Sequence, residues 1–171
     1  PYDEKRPVVC MDEQPVQLTS ESRTPIPMAP GRIAKDDNEY VREGTCVVWM
    51  FVEPLGGWRT VPVSNRRTAV NWAHRMRDLV DNPRFASAEK ITVVLDDLNT
   101  HDIGSLYEAF APAEAKRIAD KLELVFTPKH GSWLNIAECE LSVLTRQSLS
   151  DRLESESKVR SRAKSWSQER N

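Results

Sequence analysis

Residues 91–101 read "ITVVLDDLNTH", five β-branched-rich and mostly apolar positions running straight into two aspartates, then Asn99 and His101. A segment that is apolar on both faces suits a central strand of a sheet covered on both sides. Asp96 and Asp97 stand where that strand ends. In an α/β sheet, ligands gather at the carboxyl ends of the strands. Strand alternation sends successive side chains to opposite faces, so Asp96 and Asp97 are not expected to serve the same site equally.

The rest of the chain supplies the context of that strand. Residues 8–11 form a short apolar run ending at Asp12-Glu13, which reads as a second buried strand with acids at its end. The stretch from 15 to 44, rich in Pro, Ser and charge, reads as a long loop insertion. "TCVVWMFVEP" and "WRTVPVS", separated by Gly56-Gly57, read as a hairpin. Residues 68–81 place Ala69, Trp72, Ala73, Met76 and Val80 at helical spacing. Residues 106–122 are helical in composition and are split by Pro112. "LELVFTPK" is a further strand, and 135–148 a further helix with Asn135 as its cap. The order is strand, hairpin, helix, strand, helices, strand, helix: an α/β chain with a mixed sheet and helices on its faces. Trp49, Trp58 and Trp72 read as core.

Composition bounds what such a domain does. A chain of 171 residues with 39% hydrophobic content can bury one substantial core. With 24 Lys+Arg against 26 Asp+Glu, the formal charge of −2 gives no strong basic field. That weighs mildly against nucleic acid as a partner, although a bound divalent metal would locally reverse the sign of an acid cluster. Residues 150–171 are polar and locally basic, and read as a charged C-terminal segment, either a solvated helix or a frayed end. Cys10, Cys46 and Cys139 are odd in number and widely separated, suggesting neither a disulfide framework nor a zinc site and pointing to a reducing compartment. No long apolar run marks a membrane anchor. The sequence starts at Pro1, as expected of a domain whose upstream partner is missing.

If the strands ending at Asp12 and Asp96 are neighbours, their carboxylates converge. Converging carboxylates stay charged and close only around something positive, and Mg²⁺ or Mn²⁺ prefers such oxygen ligands. An acid at a strand end is ordinarily a turn former or a helix cap, so the pair alone does not settle the matter.

Three blocks, "VVCMDE", "VVLDDLNTH" and "TPKHGSWLNIAECELSVL", together resemble the signature blocks of DDE transposases of bacterial insertion sequences related to mariner, in that family's order. "YVREGTCVVWMFVEPLGGWR" resembles its hairpin region. The resemblance covers residues 1–149 and implies a ribonuclease H-like catalytic domain with a five-stranded mixed sheet, its first three strands antiparallel. It also implies an upstream helix-turn-helix DNA-binding domain, absent from this sequence. The family's catalytic and metal-binding acids fall on Asp12, Asp96 and Glu138, for two Mg²⁺ or Mn²⁺ ions. At Asp97 the family usually has Asn.

A helical wheel drawn from Asn135 puts Glu140 inside the apolar arc and Glu138 outside it, whereas the motif nominates Glu138. Following the motif leaves Glu140 in need of a buried partner such as an arginine. His101 matches the family's histidine and is a candidate DNA contact, its alternative being a loop or cap residue. Lys129, His130, Arg66 and Arg67 are further candidate DNA contacts, and Trp133 either stacks on a base or packs under the last helix.

The resemblance thus implies metal-dependent DNA phosphodiester cleavage and strand transfer by an insertion-sequence transposase. Its partners would be transposon ends and target DNA, with a homodimer as the active form and no membrane, in the bacterial cytoplasm on the nucleoid. Two alternatives use the same residues. Another ribonuclease H-like nuclease would cleave without strand transfer, and a non-catalytic remnant would act as a DNA-binding or oligomerising module.

Overall fold

The computed structural model describes the chain except residues 1, 25, 34–37, 97–100, 129–130 and 132–133. Asp97, Lys129, His130 and Trp133 therefore lie outside the described residues. Among the described residues, six strands and five α-helices follow in the order β1 (Val8–Glu21), β2 (Tyr40–Glu53), β3 (Trp58–Thr60), β4 (Val63–Ser64), α1 (Ala69–Val80), β5 (Ile91–Leu95), α2 (Gly104–Ala109), α3 (Pro112–Lys121), β6 (Leu122–Phe126), α4 (Ile136–Ser148) and α5 (Glu156–Arg170).

One mixed sheet runs β3-β2-β1-β5-β6, with β4 also paired to β2. β1, β2 and β3 are antiparallel neighbours, while β5 and β6 run parallel to β1 and to each other. The returning strand expected from "WRTVPVS" is divided at Val61-Pro62 into β3 and β4, which raises the count from five strands to six.

Strand alternation sorts the side chains into two cores. Val9, Met11, Trp49, Phe51, Ile91, Val93 and Leu95 pack with Trp72 and Met76 of α1 and Ile118 of α3 on one face. Cys10, Val48, Met50 and Val52 pack with Leu141 and Leu144 of α4 and with Val159, Ala163 and Trp166 of α5 on the other. Covered on both faces, β2 is buried without interruption from Cys46 to Glu53. Trp49 and Trp72 are buried and Trp58 packs against the first core, as expected of core tryptophans.

Local chemistry sets the helix boundaries. Thr68 and Asn71 form a capping box at the start of α1. Pro112 opens α3, where its missing N–H is harmless, so the break expected at Pro112 separates α2 from α3. Asn135 caps α4 by accepting from the Ala137 N–H at 3.1 Å.

Two expectations are corrected. The stretch from residue 15 is not loop at its ends: β1 continues to Glu21 and β2 begins at Tyr40, in register from Cys10↔Val52 to Glu21↔Tyr40. An irregularity at Leu18/Thr19 lies opposite Gly44, whose φ of 118° suits a glycine. This outer ladder is mostly exposed, and its apolar alternation is limited to Val16 and Leu18, which join the second core. Residues 150–171 are likewise no merely charged tail. α5 buries Val159, Ala163 and Trp166, and Trp166 Nε1 donates to Gln147 Oε1 at 2.8 Å.

Candidate active site

β1 and β5 are adjacent and parallel, with Val8↔Thr92, Val9↔Val93 and Cys10↔Val94 in register. Two residues further along stand Asp12, within β1, and Asp96, the first residue beyond β5. Cys10 faces the α4–α5 core, so alternation carries Asp12 to that face where the β1–β5 pairing ends, whereas Asp96 sends Oδ1 to His101 on the Trp72 side. Glu13 points the other way, beneath the sheet edge, with Val9 and Met11.

The N-terminus of α4 is fastened over this point. Asn135 Nδ2 donates to the Met11 carbonyl at 2.8 Å, and the Cys10 thiol is hydrogen-bonded to the Ile136 backbone. Glu138, exposed in the first turn, then lines an open cleft with Asp12, Glu13, Gln14, Ser142, Thr145 and Arg146. Glu140 is engaged elsewhere: its carboxylate lies 3.2 Å from Arg59 and 3.3 Å from Arg170. The arginine partner required by the wheel is present twice over.

Electrostatics follows from the crowding. Burial, above all, pushes the Asp12 carboxyl from its ordinary value up to about 7; the charges of Asp96, Glu13 and Glu138 add to this, against a hydrogen bond from the Glu13 N–H. That bond, at 2.8 Å to Asp12 Oδ1, is local. The buried Asp96 Oδ1 and Glu13 Oε2 face the His101 imidazole. Asp12, Glu138 and the remaining oxygens of Asp96 and Glu13 are oxygen donors, a set that fits a hard divalent cation such as Mg²⁺ or Mn²⁺.

His101 joins the two acid-bearing strands from below. Its Nδ1 is 3.0 Å from Asp96 Oδ1 and 3.2 Å from the Asp96 carbonyl, and its Nε2 is 3.2 Å from Glu13 Oε2. Burial opposes the charged imidazole, but Asp96 and Glu13 outweigh it and hold the group at about 9. The side chain has no exposed surface, and its ring stacks on Trp72 at 5.9 Å between centroids. His101 as a DNA contact is thereby corrected, because a fully buried ring offers DNA no surface. Among the described residues, Glu13, Asp96 and His101 bring one ligand atom each within 4.8 Å of one another; Asp12 and Glu138 stand outside that group.

Arg66 and Arg67 are exposed just before α1, and Arg67 reaches to 4.0 Å from Glu13, at the rim of the acid edge. Glu13, the second acid of the "DE" pair, joins the site although no site role is expected for it from the sequence. Ser142, Thr145 and Arg146 are further cleft residues with no role expected from the sequence; their helical spacing from Glu138, which puts them on one side of α4, is the signal for them.

Residues 7–160 match the family model of the DDE superfamily endonucleases. That span is most of the chain, and the protein belongs to this family. Among solved structures, the chain is similar to the Mos1 mariner paired end complex with Mn, at 13% identity and a TM-score of 0.67 over 99% of this chain and 50% of that one. A second structure, the Mos1 transposase paired-end complex with left transposon end, is 12% identical over 79% of this chain and 47% of that one, with a TM-score of 0.39. The fold is ribonuclease H-like, as in the mariner transposase catalytic domain, and the chain spans about half the length of that protein. No curated protein matches the sequence.

Proposed function

We propose that this chain is the catalytic domain of an insertion-sequence transposase, in which Asp12, Asp96 and Glu138 hold divalent metal for DNA phosphodiester cleavage and strand transfer. The observation that supports the reading is the β1–β5 pairing, which ends at Cys10↔Val94 two residues short of Asp12 and Asp96, together with the cleft that Asp12 shares with Glu138. Two Mg²⁺ or Mn²⁺ ions bound there would supply an activated water and the charge that stabilises the leaving oxygen.

The chain itself provides position and electrostatics, which dominate phosphoryl transfer. Asp12 from β1 and Asp96 from just beyond β5 would hold the ions, with Glu138 completing the set from α4. Arg146, Ser142 and Thr145, along the same cleft, offer polar contact to the DNA backbone. Arg66 and Arg67 do the same from the start of α1, with Lys129 and His130 as further contacts. The substrates are transposon ends and target DNA, the released 3′-hydroxyl attacks the target in the same site, and the working form is a homodimer acting on the bacterial nucleoid.

The test is nicking of a supercoiled plasmid carrying the element's ends by the full-length protein that contains this domain, followed through a Mg²⁺ titration. Metal-dependent nicking and joining that Asp96→Asn abolishes is the expected result. Nicking without joining would leave a ribonuclease H-like nuclease instead, and wild-type protein without either reaction would overturn the reading.

A further inference from the structure

Resting on the nuclease reading above, we propose that His101, anchored by Glu13, is a positioning residue that fixes the Asp96 side chain where the sheet no longer does. The β1–β5 ladder closes at Cys10↔Val94, and β5 itself ends at Leu95. Asp96 is thus the first residue beyond the strand, and its side chain needs another constraint if it is to face Asp12 in one rotamer.

His101 supplies that constraint twice. One nitrogen touches both the carbonyl and the Oδ1 of Asp96, restraining backbone and side chain together. The opposite nitrogen faces Glu13, the residue bonded directly to Asp12. Moving Asp96 relative to Asp12 would therefore break the Glu13–His101 contact. The pair acts as a cross-strand strut in the place where the next ladder pair would stand.

Burial makes the strut rigid. The side chains of Glu13 and His101 are 1% and 0% exposed, and Trp72, fixed in the core by α1, backs the imidazole ring. A buried carboxylate is retained only beside a compensating cation, so Glu13 has a reason to be there that packing alone does not give. With Oδ1 held by His101, Asp96 keeps Oδ2 for a ligand. Outer partners of this kind typically change metal affinity by about 10–100-fold.

The experiment uses the 171-residue chain. Side-chain three-bond couplings of labelled, metal-free protein report the Asp96 χ1 rotamer, and calorimetry reports Mn²⁺ binding. His101→Asn keeps an amide near the Nδ1 position, whereas His101→Gln reaches towards Glu13 and gives up Asp96. The expected result is one Asp96 rotamer in wild type and His101→Asn, rotamer averaging in His101→Gln, and Mn²⁺ binding about 10-fold weaker in His101→Gln. A Glu13→Leu/His101→Leu double variant removes both buried groups together and guards against unfolding of the single variants. An averaged Asp96 in wild type, or a fixed one in His101→Gln or the double variant, overturns the strut. A wild-type chain with fixed Asp96 that binds no Mn²⁺ instead overturns the metal-dependent nuclease reading, so the two failures are distinct.

Discussion

Glu140 faces Arg59 at 3.2 Å, tying α4 to the edge strand β3 and away from the acid edge that Glu138 shares with Asp12. Two glutamates two residues apart on one helix thus do different work. Glu140→Gln strands two arginines and is expected to cost about 2 kcal/mol of stability, between exposed and fully buried pairs, in a urea titration. Glu138→Gln is expected to leave the midpoint unchanged and abolish metal-dependent nicking. An inactive but fully stable Glu140→Gln beside an active Glu138→Gln would exchange their roles.

Asp12 makes the metal-free fold sensitive to pH. Its folded value of about 7 lies above the ordinary 3.8, so the folded chain holds a proton that the unfolded chain gives up. The associated stability is present below about pH 4 and is lost as pH rises through about 7. Asp12→Asn should therefore gain in melting temperature over wild type at pH 8 in chelator, with a smaller gain at pH 5. Equal gains at both values would contradict the raised carboxyl.

Metal and proton compete for the same group, so Mn²⁺ binding to wild type should release a proton below pH 7 and weaken as pH falls. Calorimetry in buffers of different ionisation enthalpy measures that release. Binding at pH 6 with no buffer dependence would remove Asp12 from the ligand set.

Asn135 serves two masters, capping Ala137 N–H and donating to the Met11 carbonyl. Asn135→Asp keeps the cap and loses the donor, whereas Asn135→Ala loses both and should cost about 2 kcal/mol. Nicking is expected to fall in both variants, because each frees α4 from β1 beside Asp12. Full activity in Asn135→Asp would mean the Met11 bond does not place Glu138.

Asp96→Asn should abolish nicking with the fold intact. Asp97→Asn, towards the residue usual in related transposases, should leave nicking unimpaired. Equal losses in a plasmid assay would mean that the two aspartates act as a unit.

The central architecture was legible because burial writes itself into sequence. Residues 91–95 carry apolar side chains to both faces, Trp72 and Met76 fall at helical spacing, and Pro112 breaks a helix wherever it occurs. What escaped was structure that burial does not dictate. The outer half of β1 is held mainly by its ladder to β2, with only Val16 and Leu18 turned into the core, so "PVQLTSE" has the composition of a loop. α5 hides three apolar positions in a strongly charged segment, and its mean pattern conceals them; Trp166→Ala should cost about 3 kcal/mol. His101 was visible as a motif residue, but its burial depends on Trp72 and Glu13, which are distant in sequence.

Where β5 stops, β1 would ordinarily offer a row of main-chain groups to any extended peptide that came near. Those positions are taken. The Met11 carbonyl receives Asn135, the Glu13 N–H is turned back onto Asp12, and Pro15 has no N–H to give. Among the described residues, these three main-chain positions of β1 are therefore not available to a strand laid along it beyond β5.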